Sequence, residues 1–273
     1  MNAGVPQPIL ERIDAYLDQA PRSTARTEQL GPFTLFIGDP NANSWSYYAR
    51  PTLPPADSFR PADVVAVMRR QAELGVPQAV EAIMETAPGL GRACAEAGLV
   101  VHELPLLVHH DPVAVPVPDG IRIRRLDPAD PAIAASRVVA DLGFTLPGTE
   151  RGATGPQERD DVLGQRDPAA DDRRRARMAA GQLVVVVAED EHGVLACGAH
   201  QPVGMTTEIV GVATLPSARR GGLGAAVTDT LVADAFRRGI TMVMLSAGGD
   251  EVARVYKRVG FRQVATALAA EPL

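Results

Sequence analysis

Residues 208–225, EIVGVATLPSARRGGLGA, constrain the architecture more than any other stretch of this chain. Alternating apolar residues lead to Pro216, glycines follow at 221, 222 and 224, and a helical row of Val227, Leu231 and Ala235 then runs to Gly239. A strand that turns into a helix through so short a loop leaves the N–H groups of the first helical turn without partners. The helix dipole places partial positive charge there, and missing Cβ atoms let a bulky anion approach the backbone. Arg219 and Arg220 add full charges beside it. The arrangement suits a pyrophosphate. It is not a Walker loop, because no Gly-Lys-Ser/Thr follows, and it is not GxGxxG.

Around this loop the second half of the chain reads as a regular succession of elements. Ile121–Leu126 alternates strictly and is expected as a half-buried strand, and Pro131–Leu142 as a helix. Residues 146–167, rich in Gly, Pro and charge, read as loop. The block Asp171–Arg177 (DDRRRAR) is expected to be a helix whose arginines face solvent and pair with the adjacent aspartates, not a nucleic-acid patch. Leu183–Glu189 and Val194–His200 form a hairpin, and Glu208–Thr214 is the strand entering the glycine loop. After the helix over Leu223–Arg238 come strand Thr241–Ala247, helix Glu251–Arg258 and strand Phe261–Ala267.

The first half carries a helix over 7–19, a strand over Pro32–Ile37, a turn at Asp39–Asn43 and a strand over Trp45–Ala49. Helix Pro61–Leu74, strand Val80–Met84, helix Gly89–Ala97 and strand Val100–Val108 complete it. Residues 111–119 (DPVAVPVPD) hold three prolines and can continue neither a helix nor a central strand. The expected division is therefore an α/β unit over 1–110, a linker over 111–119 and a second unit over 120–273. At 273 residues, 46% hydrophobic and 22% charged, the chain can bury a substantial core, which excludes a disordered segment or a disulfide scaffold. Cys94 and Cys197 lie too far apart to form a metal or redox motif, so no metal is expected. A net charge of −6 argues against nucleic acid or an anionic membrane as partner and slightly favours a cationic acceptor. The N-terminal residues lack a basic region followed by an apolar core, and no apolar run reaches the ~18 residues of a spanning helix. A cytoplasmic protein is expected.

Two separated motifs at the right spacing give the second half a resemblance to the GNAT superfamily of acetyl-CoA-dependent N-acetyltransferases. Its pyrophosphate signature, Gln/Arg-x-x-Gly-x-Gly/Ala, is matched by Arg219, Gly222 and Gly224. The preceding strand ends Val212-Ala213-Thr214-Leu215-Pro216, similar to the family's hydrophobic-x-Val-x-Pro with Thr214 in place of Val. Ala253–Phe261 (ARVYKRVGF) is similar to the family's Leu-Tyr-Glu-Lys-Leu-Gly-Phe segment, and the likeness runs in order over 120–268. It implies a GNAT fold, an α/β architecture whose mixed, mostly antiparallel central sheet is flanked by helices. It also implies a pantetheine arm along Val212, Ala213 and Thr214. The pyrophosphate would lie on Arg219, Arg220, Gly221, Gly222, Leu223, Gly224 and Ala225.

The implied reaction is direct attack of a primary amine, on a small molecule or peptide, at the thioester of acetyl-CoA. It requires a base for the ammonium proton and an acid for the departing thiolate. Tyr256 stands where the family places its tyrosine, making it the candidate acid. Glu208 has the spacing of the base in the histone-acetyltransferase branch, with apolar neighbours Ile209 and Val210 that suit it to take up a proton near neutral pH. His200 and a water chain are alternative bases. Where relatives often carry Asn after the fifth strand, this chain has Gly248-Gly249-Asp250, and that contact to the coenzyme is not carried over. A non-catalytic acyl-CoA sensor and a transferase for longer acyl groups share the same contacts. The first half resembles a degenerate GNAT-like unit in tandem; its turn Pro88-Gly89-Leu90-Gly91-Arg92 lacks the upstream basic residues. It is assigned to shaping the acceptor pocket or to a homodimer contact.

Overall fold

The computed structural model describes residues 7–38, 48–167 and 171–273. The elements run α1 (Gln7–Gln19), β1 (Ala25–Leu30), β2 (Phe33–Gly38), β3 (Ala49–Pro51), α2 (Pro61–Glu73), β4 (Val80–Ile83), α3 (Leu90–Glu96) and β5 (Val100–His109). They continue β6 (Arg122–Arg125), α4 (Ala132–Phe144), α5 (Pro156–Gly164), α6 (Asp172–Ala179), β7 (Val184–Asp190), β8 (Gly193–Val203) and β9 (Thr206–Thr214). The chain closes with α7 (Leu223–Arg237), β10 (Met242–Ser246), α8 (Asp250–Lys257) and β11 (Phe261–Glu271). The expected turn at Asp39–Asn43 and most of the strand expected over Trp45–Ala49 lie outside the described residues. Only Ala49 of that stretch is seen in β3.

Contacts divide the chain into two compact units, Met1–Leu106 with Gln263–Leu273, and Leu107–Arg262. In the first, the strands run β1-β2-β3-β4-β11-β5. β1 pairs antiparallel with β2, β2 with β3 and β4 with β11, while β3 and β4 are parallel and joined through α2. Phe33, Leu35, Val64, Val67, Val80 and Leu90 form its core. On the other face Arg50 donates to Asp14 from α1 at 3.0 Å. β1 carries no apolar alternation because it is an exposed edge; the ladder to β2 and the Arg70–Glu28 ion pair at 2.8 Å hold it.

In the second unit the order is β10-β9-β8-β7-β6, antiparallel except for β9 and β10, which are parallel and joined through α7. Each unit thus repeats strand, crossover helix, parallel strand. The core is aliphatic, with Val185, Val187, Val227, Leu231 and Val243 all fully buried. Each such side chain contributes about 1.5–3 kcal/mol relative to exposure.

α5 corrects the expectation that 146–167 is loop. Pro156 sits in its first turn, and Glu158 accepts from the Gly155 N–H at 2.8 Å. Its sequence has no apolar stripe, so periodicity could not show it. Arg159 anchors it by donating to the carbonyls of Val194 at 2.7 Å and His192 at 2.6 Å.

α6 forms as expected, but not as a wholly solvated face. Arg175 donates to the Pro128 carbonyl at 2.7 Å, and Arg177 to the Gln201 side chain at 2.6 Å. Arg174 is turned inward as well.

Candidate active site

The site is built where β9 and β10 part. Their ladder pairs Met242 with Thr206, Val243 with Thr207 and Met244 with Glu208, and then ends. β9 continues to Thr214 against β8 only, so the β10 side of residues 209–214 is left without a strand partner. A bulge in β9 lies just beyond the last residue paired with β10. Cys197 pairs with Ala213 but Ala199 with Val210, so β9 carries the extra residue at Gly211–Val212. Gly211 has φ of +62°, a conformation open to glycine and strained for nearly any other residue. Val212, Ala213 and Thr214 therefore border the opening, with Glu208 at its closed end.

At the mouth stands the glycine loop. A 3-10 turn at Pro216–Ala218 leads into Arg220 at φ +62° and Gly222 at φ +81°, and α7 starts at Leu223. Among the described residues, the N–H groups of 220–225 make no hydrogen bond. Six successive donors at the positive end of a helix of 15 residues form a cradle for an anion. Arg220, 60% exposed, stands beside it, with only a distant ion pair to Glu150 at 4.0 Å.

Arg219 points elsewhere. Its guanidinium is buried and donates to the carbonyls of Gly143 at 2.6 Å, Leu146 at 2.7 Å and Glu150 at 3.0 Å. It thus straps the segment after α4 to the loop below β9. The same segment is held at α8, where the Thr149 hydroxyl donates to Glu251. Arg219→Met should destabilise the fold by roughly 2–4 kcal/mol, because several carbonyls lose a charged donor. In the folded variant, calorimetry should show CoA affinity reduced by less than about tenfold. A larger loss with an unchanged Tm would place the guanidinium on the pyrophosphate instead.

Tyr256 lies on α8, buried at 8% exposure, with its ring edge-on to Phe261 at 6.1 Å. Burial pushes its phenol up to about 12, so it keeps its proton at any physiological pH. Glu208 is half-buried and opposes Gln201 of β8 in register. His200 is fully buried on the opposite face. Its Nδ1 lies 3.0 Å from the Thr207 hydroxyl and its Nε2 3.1 Å from Asp234 of α7, while burial lowers its pKa. With both nitrogens occupied inside the core, it braces β8, β9 and α7 together. Gly249 and Asp250 start α8 at the position where relatives often carry Asn.

A parallel pair that parts beside an unpartnered helix N-terminus can hold an anionic ligand along a free strand edge. Residues 154–261 match the acetyltransferase (GNAT) family, and this part of the chain belongs to that family. A GCN5-related N-acetyltransferase from Kribbella flavida is similar over 97% of this chain and 95% of its own, at 25% identity and a TM-score of 0.70. A GNAT-family protein from Novosphingobium aromaticivorans shares the fold over 98% of this chain and 100% of its own, at 15% identity and a TM-score of 0.57. A tandem GNAT protein from the clavulanic acid biosynthesis pathway shares it over 88% of this chain and 78% of its own, at 15% identity and a TM-score of 0.53. No curated protein matches the sequence. The chain is an acyltransferase with a GNAT fold, and acetyl-CoA-dependent acyl transfer is its general chemistry. No helix among the described residues is long and apolar enough to cross a membrane.

Proposed function

We propose that this protein transfers the acetyl group of acetyl-CoA to a primary amine of a small molecule or peptide by direct attack. The observation that carries this reading is the row of unpartnered N–H groups over 220–225 at the mouth of the β9–β10 opening. These groups and Arg220 hold the pyrophosphate, and the free edge of Val212, Ala213 and Thr214 pairs with the pantetheine amides. The bound substrate supplies an activated thioester; everything else falls to side chains of this chain. Glu208, at the closed end of the opening, takes the ammonium proton directly or through water. Tyr256 gives its proton to the thiolate sulfur; burial raises its pKa, which keeps the phenol protonated but also makes it a weaker acid.

The first unit, with a crossover helix between parallel strands but no basic glycine turn, is read as a degenerate GNAT-like half. The protein is assigned to the cytoplasm. The test is release of free thiol from acetyl-CoA in the presence of an amine panel, with products identified by mass spectrometry. Acetylated amine with stoichiometric thiol is expected. Tight CoA binding without turnover on any amine would leave the sensor reading in its place.

A further inference from the structure

Two arginines on the helices that cover the Glu208 face of the sheet have no ion-pair or hydrogen-bond partner among the described residues. Cys197 donates its thiol proton to the Ser136 carbonyl of α4 at 3.1 Å, so odd-numbered residues of β8 at this point face α4. Gln201, two alternations further, receives Arg177 from α6 and stands opposite Glu208. Helices α4 and α6 therefore share one face of β8 and β9 with Glu208. Arg137 on α4 and Arg174 on α6 both lie there, half-buried and within electrostatic reach of each other. Among the described residues neither has an ion-pair or hydrogen-bond partner, and the Nε of Arg174 is buried without an acceptor.

The nearby carboxylates answer this charge only in part, Asp171 acting on Arg174 electrostatically without a hydrogen bond to it. Asp171 is taken by Arg166 at 3.0 Å, and Asp141, one helical turn from Arg137, makes no ion pair with it. Burial and the neighbouring Arg137 lower the pKa of Arg174 to about 10. A desolvated cation beside another cation is costly to fold around. A ligand that supplied the missing negative charge would offset this cost.

We propose that the acceptor amine carries a carboxylate or phosphate group, and that Arg137 and Arg174 hold this anion while the amine reaches the end of the opening near Glu208. The proposal rests on the acyl-transfer reading above. It runs against the mild preference for a cationic acceptor suggested by the net charge of −6, because a local pair of unpaired guanidinium groups outweighs a diffuse surface charge.

The test uses matched acceptors, glycine against glycinamide and phosphoethanolamine against ethanolamine, with rates referred to the free-amine fraction. The wild-type protein should favour the anionic member of at least one pair by about 10–100-fold in kcat/KM. The pair favoured tells carboxylate from phosphate. In Arg174→Met and Arg137→Met the ratio should collapse to within about threefold. A ratio near one in the wild type, or a preference that survives both substitutions, overturns the proposal.

A binding measurement separates this from the acyl-transfer reading. With CoA saturating the glycine loop, inorganic phosphate at constant ionic strength should raise the Tm of the wild type but not of Arg174→Met. Equal shifts would overturn the proposal even if amines are acetylated. If no amine reacts, acyl transfer to amines falls and the phosphate comparison alone decides the role of the arginines. Arg174→Met removes an unpaired buried charge, so its own Tm should be unchanged or higher.

Discussion

Gly222→Asp should all but abolish CoA binding in a protein that still folds. The carboxylate would stand inside a cradle of N–H groups shaped for an anion, against a pyrophosphate of the same sign. Two unit charges about 4 Å apart near a protein surface repel by roughly 4 kcal/mol, which is close to three decades in affinity. The φ of +81° adds strain, although Asp tolerates this region better than most residues. Among the described residues a Cβ at this position meets only Pro118, at an ordinary 3.7 Å, so the space admits a side chain and the cost is that of the positive φ. Gly222→Asn is the control, since it has the same shape and conformational tolerance without the charge. Calorimetry with CoA should show a loss of about two to three decades for Asp and a far smaller one for Asn. A folded Asp variant that binds CoA within about threefold of wild type would remove the pyrophosphate assignment.

Tyr256→Phe should lower kcat by about 10²–10⁴-fold while leaving CoA affinity nearly unchanged. The phenyl ring keeps the edge-on packing on Phe261, and only the proton donor is lost. A CoA thiolate is a good enough leaving group to depart partly unassisted, which favours the lower end of that range. Because burial holds the phenol near 12, the wild-type rate should not decline from Tyr256 ionisation as pH rises through 9 and 10. Glu208→Gln should behave differently. Its rate at neutral pH should fall and partly recover as pH rises and the amine loses its proton unaided. The measurement is kcat/KM against pH for both variants with one good acceptor. Parallel profiles would deny Glu208 the role of base, and a fully active Phe variant would deny Tyr256 the role of acid.

The two assignments differ in how much of them the sequence carried. The row of unpartnered N–H groups proposed to hold the pyrophosphate was legible because backbone chemistry makes it: a strand, a glycine loop and a helix start specify such groups whatever surrounds them. The role of Arg219 was not legible. Its motif position placed it on the pyrophosphate, whereas its guanidinium instead reaches the carbonyls of Gly143, Leu146 and Glu150. Those acceptors lie about seventy positions earlier in the chain, and no local pattern links them to it.

Local periodicity determined most of the elements by itself. The aliphatic strand β7, the crossover helix α7 and the helix α2 follow from apolar spacing and from glycine or proline at their ends. Tertiary structure alone decided the elements with no apolar signature. β1 is a polar edge strand made by its ladder to β2, and α5 is a polar helix held through Arg159. The Ala-rich end of β11 is drawn into a strand by pairing Ala267–Ala270 with Ile83–Val80. It decided the arginines too. In sequence DDRRRAR is a solvated charge run, because aspartates stand next to the arginines. In the fold, Arg166 occupies Asp171, and Arg174 is left half-buried, its Nε without an acceptor, within electrostatic reach of Arg137. Hydrophobic spacing is written along one segment, so one segment suffices to read it. The partner of a charge is chosen by distance in space, and that distance exists only once the chain has folded.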